Sequence, residues 1–203
     1  MNAISLIRVN ASRAAPRQGI DLVRVEELDE LAAGLAGIFH VSCRVEPDQV
    51  EGEVAYDATR GQYYSTALLL QLATRNPDNN RHLVGISGVD LYVPILTFVF
   101  GEAQLAGNCA IVSLYRLREE FYGLPPSPEL EQERLLKVTV HELGHTLGLR
   151  HCTDWRCVMA STHSAERMDI KSAEFCSICK RRARLNETFL GETLQPPKTR
   201  YGL

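Results

Sequence analysis

The sequence predicts an α+β fold in which helices pack on a mixed β-sheet, followed by a small unit that contains paired cysteines. Strand-like segments alternate with segments of helical apolar spacing in the first part of the chain, and a long helix with two histidines follows them. Four cysteines in two close pairs lie beyond this helix. A length of 203 residues, 45% of them hydrophobic, is enough for one sizeable domain with a real core.

Five segments combine alternating polarity with β-branched or aromatic residues, as strands do: residues 3–9, 40–45, 82–91, 96–100 and 109–114. Two segments repeat apolar residues at helical spacing: residues 20–39 and 62–74. We expect Pro47 to end the second strand and Asn76-Pro77 to form a turn after the second helix. Strands with helices before and after them predict a mixed sheet on which helices pack.

A long helix is predicted to begin at Pro128, with Ser127 as its N-cap. Its buried stripe is predicted to consist of Leu136, Val140, Leu143 and Leu147. Gly144 inside this helix costs about 1 kcal/mol relative to Ala. A close approach of backbone or substrate explains that glycine, and so does ordinary helix packing.

The strongest signal is a set of histidines around the end of this helix. His141 and His145 are four residues apart, so both rings lie on one helix face and two imidazole nitrogens can meet one metal ion. Glu142 lies beside them as a candidate general base, and Gly148 can turn the chain so that His151 returns as a third ligand. Three protein ligands leave a coordination position open, which is typical of catalytic zinc. The alternative is a buried helix whose histidines are hydrogen-bonded core residues.

The cysteines predict a second, structural zinc site after the helix. Two pairs have the spacing of thiolate ligands: Cys152, Cys157, Cys176 and Cys179. The alternative for the last two is a redox pair or buried apolar residues. Cys43 and Cys109 stand alone and are predicted to be small buried hydrophobes.

Regular apolar patterning is weak after the long helix. One helix is predicted there over residues 171–186, and an extended tail over residues 194–203.

The combined motifs resemble those of a known family. The pattern HExxHxxGxxH is similar to that of the metzincin metallopeptidases, and Met159 matches their Met-turn, a methionine that packs beneath the catalytic zinc. The cysteine after His151, the CxxxxCxM segment and the final CxxC resemble the archaemetzincins in particular. Residues 60–63 and 93–103 are also similar to that family, so the likeness covers most of the chain.

The resemblance implies a metzincin-like zincin fold with a cleft between two subdomains. The upper subdomain, residues 1–148, is expected to contain the twisted mixed sheet and the active-site helix. The lower subdomain, residues 149–203, is expected to contain the third histidine, the Met-turn and the four-cysteine zinc site. An edge strand between Gly101 and Gly107 is expected to align a peptide by strand addition, as metzincins generally do.

We therefore expect a zinc-dependent peptidase that binds two Zn²⁺ ions per chain and cleaves peptide or protein substrates. Glu142 takes a proton from the attacking water and passes it to the leaving amine. His163 and the acidic or basic residues from Glu166 to Lys171 could line the primed side of the cleft, but such residues are more often solvated loop positions, which is our expectation for them. We also expect a monomer.

Composition argues against several partners. With 22 basic and 25 acidic residues, the formal charge of -3 gives no overall attraction to nucleic acid or anionic membrane. Residues 92–100 form an apolar run that contains a proline and is too short to span a membrane. Residues 1–10 are predicted to be a strand and not an export signal, which favours a cytoplasmic protein with reduced thiols.

Two other function classes stay open at this point. One is a zinc-stabilised module that binds peptide or nucleic acid, because four basic residues follow the last cysteine: Lys180, Arg181, Arg182 and Arg184. A solvated helix end, where cations offset the helix dipole, explains the same residues. The other is a pseudo-enzyme that retains zinc without hydrolysis, against which the intact Glu142 argues.

Overall fold

A mixed five-stranded sheet forms the centre of the molecule in the computed structural model, which describes residues 1–15 and 23–185. In spatial order its strands are β2 (Ser42–Glu51), β1 (Ala3–Asn10), β5 (Arg81–Ser87), β8 (Cys109–Ser113) and β7 (Gly101–Ala103). The first four are parallel to one another, and β7 pairs antiparallel with β8 at one edge. A smaller three-stranded sheet consists of β3 (Tyr56–Asp57), β4 (Gln62–Tyr64) and β6 (Leu91–Tyr92). The predicted mixed sheet is therefore present.

Helices cover both faces of the large sheet. The α-helices among the described residues are α1 (Val25–Phe39), α2 (Ser65–Arg75), α3 (Pro128–Thr146), α4 (Ala165–Asp169) and α5 (Ser177–Arg182). On β5, Val84 and Ile86 point into the core beneath α1 and α3, whereas Leu83 points to the α2 side. Because both faces are buried, this strand is apolar throughout most of its length and not alternating. No helix in the described ranges is long and apolar enough to cross a membrane.

The second strand is longer than predicted, because Pro47 does not end it. Strand β2 continues to Glu51, and its pairing with β1 shifts register between Val45, opposite Leu6, and Gln49, opposite Arg8. Proline lacks a backbone N–H and is accommodated at edge strands and bulges, and β2 is an edge strand that bulges at this point. The prediction failed because a proline in the sequence does not show whether its strand pairs with one neighbouring strand or with two.

The prediction of a strand over residues 96–100 is wrong. This segment is a loop with a single β-bridge at Val99, and the regular edge strand β7 begins only at Gly101. Contacts from side chains, and not a ladder of backbone hydrogen bonds, hold this loop. Arg60 donates to the Leu96 and Thr97 carbonyls. Arg116 lies 4.2 Å from the centre of the Phe98 ring and forms an ion pair with Asp90. These tertiary contacts replace strand pairing over the loop.

The helix predictions are correct in order but not at every boundary. The long helix begins at Pro128 as predicted, and Ser127 is its N-cap without a hydroxyl hydrogen bond. Helix α1 begins at Val25, later than predicted, and residues 20–22 of the predicted helix lie outside the described ranges. Helix α2 starts at Ser65, because residues 62–64 form β4.

A single helix over residues 171–186 does not form. Helix α4 precedes this segment, α5 covers only part of it, and residue 186 and the predicted tail lie outside the described ranges. The backbone N–H of Ser172 donates to the Arg156 carbonyl, and the Glu174 carbonyl accepts from the Val158 N–H. Residues 172–174 thus form hydrogen bonds with the loop before them and not within a helix.

Helix α3 buries charged side chains as well as the predicted apolar stripe. Val140 and Leu143 are fully buried, whereas Leu136 and Leu147 are half-buried. On another face, buried Arg134 donates to both carboxylate oxygens of Asp169, at 2.7 Å each, and to the Leu117 carbonyl and Glu119. The Arg134 contacts therefore join α3 to α4 and to the segment that precedes α3.

Replacing Arg134 by Ala should lower the free energy of unfolding by about 3 kcal/mol, because Asp169, Glu119 and a buried carbonyl lose their donor. Arg44→Ala is the matched control, since Arg44 forms an exposed ion pair with Glu46; its effect should stay within about 0.5 kcal/mol. Urea denaturation in the presence of zinc measures both. Equal small effects for the two variants would show that the Arg134 network contributes little to stability.

Candidate functional site

Helix α3 presents His141 and His145 to a cleft, with their Nε2 atoms 3.1 Å apart. The Nδ1 atom of His141 lies 2.8 Å from the Val158 carbonyl oxygen, and that of His145 lies 2.8 Å from the Leu149 carbonyl oxygen. A carbonyl oxygen only accepts hydrogen bonds, so each Nδ1 carries the proton. Both Nε2 lone pairs are consequently free for a metal ion.

His151 joins the other two rings because the helix ends sharply. Gly148 has φ +84°, a conformation that favours glycine, and the Leu149 N–H donates to the Gly144 carbonyl at 3.0 Å. The His151 ring centre lies 5.3 Å from that of His141 and 5.1 Å from that of His145. One ligand nitrogen from each of the three rings lies within 4.8 Å of the others, so the three could hold one metal ion.

The protonation state of these histidines suits metal binding. Burial lowers the pKa of His141 to about 3, and burial also lowers the pKa values of His145 and His151. Neutral imidazoles whose ring nitrogens converge are the donor set that zinc binds in catalytic sites, and the tautomers of His141 and His145 are defined by their Nδ1 hydrogen bonds. The residues present therefore fit a zinc ion.

Glu142 lies in the wall of the same cleft, with 7% of its surface exposed. Burial raises its pKa to about 8, the charge of Glu102 adds to that rise, and Lys171 opposes it. Strand β7 approaches this carboxylate closely, since a Cβ added at Gly101 would lie 2.9 Å from a Glu142 carboxylate oxygen. Sequence reasoning missed this role of Gly101, because nothing local to it shows what it packs against.

Met159 is fully buried beneath α3, against Gly144. A Cβ added at Gly144 would overlap the Met159 sulfur and lie 3.0 Å from a ring carbon of Phe175. Of the two explanations that the sequence left open for this glycine, helix packing is the one that the structure supports, because side-chain atoms of Met159 and Phe175, and not backbone, lie nearest to Gly144. Met159 occupies the space that any larger side chain at position 144 would fill.

The four cysteines after the helix converge on one point. Their sulfur atoms lie within 4.8 Å of one another, with Cys152 and Cys176 3.9 Å apart, and all four are free thiols. Hydrogen bonds, led by one from the Cys179 backbone, lower the pKa of Cys176 to about 7, whereas burial raises the pKa values of Cys157 and Cys179. Four converging thiols fit a tetrahedral zinc ion.

The backbone joins the group of three histidines to the group of four cysteines. Cys152 directly follows His151, and its N–H donates to the Met159 carbonyl at 2.9 Å. Elsewhere, Cys109 is buried as predicted, whereas Cys43 is only half-buried.

Comparison with known proteins identifies the family. The model described as Peptidase family M54 matches residues 39–185. An archaemetzincin of Methanocaldococcus jannaschii is 46% identical over 125 residues, which cover 62% of this chain and 68% of the relative. The crystal structure of an archaemetzincin from Archaeoglobus fulgidus superposes with a TM-score of 0.72 at 32% identity, covering 89% of this chain and 99% of that one.

The chain belongs to the archaemetzincins. A zinc-dependent peptidase from Methanocorpusculum labreanum has a similar structure, with a TM-score of 0.76 at 26% identity over 89% of this chain and 99% of the other. Archaemetzincins are zinc-dependent metallopeptidases of the metzincin type, so the predicted zincin fold, enzyme class and peptide substrates are confirmed at this level. The comparisons do not favour the alternative of a binding module.

The archaemetzincin cleft has a volume of about 660 Å³ and extends beyond the histidines and Glu142. The loop of residues 96–100 and strand β7 border one side, and residues 161–163 border another, so His163 does line the cleft. Met168 and Lys171 also line it and are almost completely buried. The expectation that the charged residues from Glu166 to Lys171 are solvated is therefore wrong for Lys171, whereas Glu166 and Arg167 are exposed.

A Gly144→Ala variant should destabilise the protein and weaken zinc binding by the histidines, because the new methyl group displaces Met159. We expect a loss of about 1–3 kcal/mol from overpacking. Gly37→Ala is the matched control, since Gly37 is exposed in the last turn of α1 and an added Cβ meets nothing within 4 Å; it should gain up to about 1 kcal/mol. Thermal unfolding and zinc titration measure both, and equal gains would contradict the packing argument.

Proposed function

We propose that His141, His145 and His151 hold the catalytic zinc ion of this peptidase and that Glu142 is its general base. The observation that carries this proposal is the pair of Nδ1 hydrogen bonds to the Val158 and Leu149 carbonyls, which leaves Nε2 as the metal-binding atom of both helix histidines. The convergence of the His151 ring on the same point supports the third ligand.

A zinc ion held there supplies Lewis-acid chemistry, because it polarises a peptide carbonyl and lowers the pKa of a water molecule. Glu142 accepts the proton of the attacking water at its carboxylate and donates it to the amine that leaves. The adjacent backbone of Gly101 and the nearly complete burial of Glu142 keep bulk water away from this carboxylate. Because Glu142 follows His141 on the same helix, the base and the metal ligands are positioned together.

We further propose that the substrate binds as an added strand along β7. The Phe100 carbonyl and the Gln104 N–H form hydrogen bonds with β8, and Glu102 is opposite Ile111 in the ladder. In an antiparallel pair the intervening residues direct their backbone groups away from the partner strand. Gly101 and Ala103, which both border the cleft, are therefore the residues whose backbone groups a peptide would meet.

The cysteine cluster is proposed to hold a second zinc ion with a structural role, so that each chain binds two ions. Four thiolates complete a tetrahedral shell and leave no position for substrate. This site would stabilise a lower subdomain of residues 149–203, whereas every strand of the two sheets belongs to residues 1–148. The unpaired state of all six cysteines supports a cytoplasmic location. We propose a monomer that does not bind nucleic acid.

A Glu142→Gln variant should retain its zinc and lose about 10²–10⁴-fold in peptide hydrolysis, because the amide cannot accept the proton. Glu129→Gln is the control, since Glu129 is an exposed residue at the start of the same helix. Digestion of a peptide library, followed by mass spectrometry, measures cleavage, and elemental analysis measures zinc. Undiminished turnover by the Glu142 variant would falsify the assignment of the base.

Elemental analysis of purified wild-type protein should find two zinc ions per chain. His151→Ala should lose the ion at the histidines and keep the other, whereas Cys157→Ser should lose the structural ion. Cys43→Ser should keep both, because Cys43 does not belong to the cysteine cluster. A single zinc ion in the wild-type protein, retained in His151→Ala, would favour a structural module without a catalytic metal.

A further inference from the structure

Three almost completely buried residues line the cleft, two of them apolar and one cationic. The apolar residues are Val138, one helical turn before Glu142 on α3, and Met168, on α4. The cationic residue is Lys171. These three residues are only 4%, 1% and 5% exposed although all of them border the cleft. We call the part of the cleft that they line the inner pocket.

The ammonium group of Lys171 uses two of its N–H donors in hydrogen bonds to the protein. Its Nζ atom donates to the Val158 carbonyl at 3.0 Å and to the Ala160 carbonyl at 3.1 Å. An ammonium group has three N–H donors. Within residues 1–15 and 23–185, the third N–H has no hydrogen-bond partner, and no carboxylate oxygen lies within 4.0 Å of Nζ.

Lys137, a second buried lysine in the same region, uses all three of its N–H donors. It is 2% exposed, and it donates to the Met168 and Asp169 carbonyls at 3.1 Å each. Its third donor is used as well, in an ion pair with Glu133 at 2.6 Å. Lys137 does not border the cleft and Lys171 does, so the buried lysine with an unused donor is the one next to the substrate space.

Among the described residues, no carboxylate forms a direct ion pair with Lys171. Glu142 is the carboxylate whose charge acts on Lys171 most strongly, with Cys157 and Lys137 acting more weakly. A buried ammonium group without a direct ion pair is costly, and a carboxylate that binds it with a charge-assisted hydrogen bond removes much of that cost.

We propose that Lys171 binds a carboxylate on the substrate residue that enters the inner pocket. This assignment rests on the proposed function, in which a peptide occupies the cleft. The carboxylate comes either from an Asp or Glu side chain or from the C-terminus of the peptide, since both present the same group to the ammonium. The methylene groups of an acidic side chain would pack against Val138 and Met168 while the carboxylate accepts the third N–H.

A series of peptides tests the proposal whichever peptide bond the enzyme cleaves. A single Glu is moved along a fixed sequence that is acetylated and amidated, and each peptide is paired with its Gln analogue. At one position the Glu peptide should have a kcat/KM about tenfold above its Gln partner, the size expected for one charge-assisted hydrogen bond. Peptides with a free or an amidated C-terminus test the second source of the carboxylate.

Variants of Lys171 separate substrate recognition from support of the fold. Lys171→Met and Lys171→Gln should lower the Glu to Gln ratio to about one, whatever they do to overall activity. Lys171→Gln keeps amide donors for the Val158 and Ala160 carbonyls, so it serves if the Met variant does not fold. Lys137→Met is the matched control, because it removes a buried ammonium group outside the cleft and should leave the ratio unchanged. A wild-type ratio near one for both carboxylate sources, or a preference that persists without Lys171, overturns the proposal.

Binding measurements keep this proposal distinct from that of the peptidase mechanism. Zinc-loaded Glu142→Gln protein should bind the preferred Glu peptide, or the free-carboxylate peptide, about tenfold more tightly than its neutral analogue. The additional Lys171→Met change should abolish the difference. Such a preference in binding, without cleavage of any peptide by the wild-type enzyme, would contradict the hydrolytic mechanism and support the carboxylate site. Equal binding of acidic and neutral peptides would overturn the carboxylate site even if the wild-type enzyme cleaves peptides efficiently.

Discussion

Three successive carbonyl groups in the turn at residues 158–160 hold the parts of the site in place. The Val158 carbonyl accepts hydrogen bonds from His141 Nδ1 and from Lys171 Nζ, and the Ala160 carbonyl accepts a second bond from Lys171. The Met159 carbonyl accepts the Cys152 N–H. A histidine of α3, the first cysteine of the cluster and the lysine of the inner pocket therefore depend on one short turn.

The side chain of Met159 sets the distance between that turn and the helix. It packs so closely against Gly144 that no Cβ fits there, and Phe175 closes the same contact from another side. Sub-ångström changes in such a contact are not absorbed by a close-packed interior. The position of the Val158 carbonyl, and with it the orientation of the His141 ring, follows from the packing of one methionine on one glycine.

Buried charges attach the remaining structure to the same helix. Arg134 and Lys137 on α3 donate to carbonyls and carboxylates around α4, whereas Lys171 reaches the turn from beyond α4. Each of these groups has several hydrogen bonds, which is how charged side chains are retained in an interior. The described part of the chain after α3, which contains two short helices, is thereby held against α3 by polar contacts as well as by apolar packing.

The sequence by itself determined the parts of this protein that depend on local spacing. The four-residue interval between His141 and His145 places two rings on one helix face, and the order of strands and helices was read from the period of apolar residues. Only the tertiary structure decided which ring nitrogen of His141 and of His145 is free to bind a metal ion, that β2 continues through Pro47, and that Lys171 borders the cleft. The reason is that each of these features depends on a partner distant in sequence: a carbonyl 17 residues away from His141, a neighbouring strand, and the carbonyls of the turn.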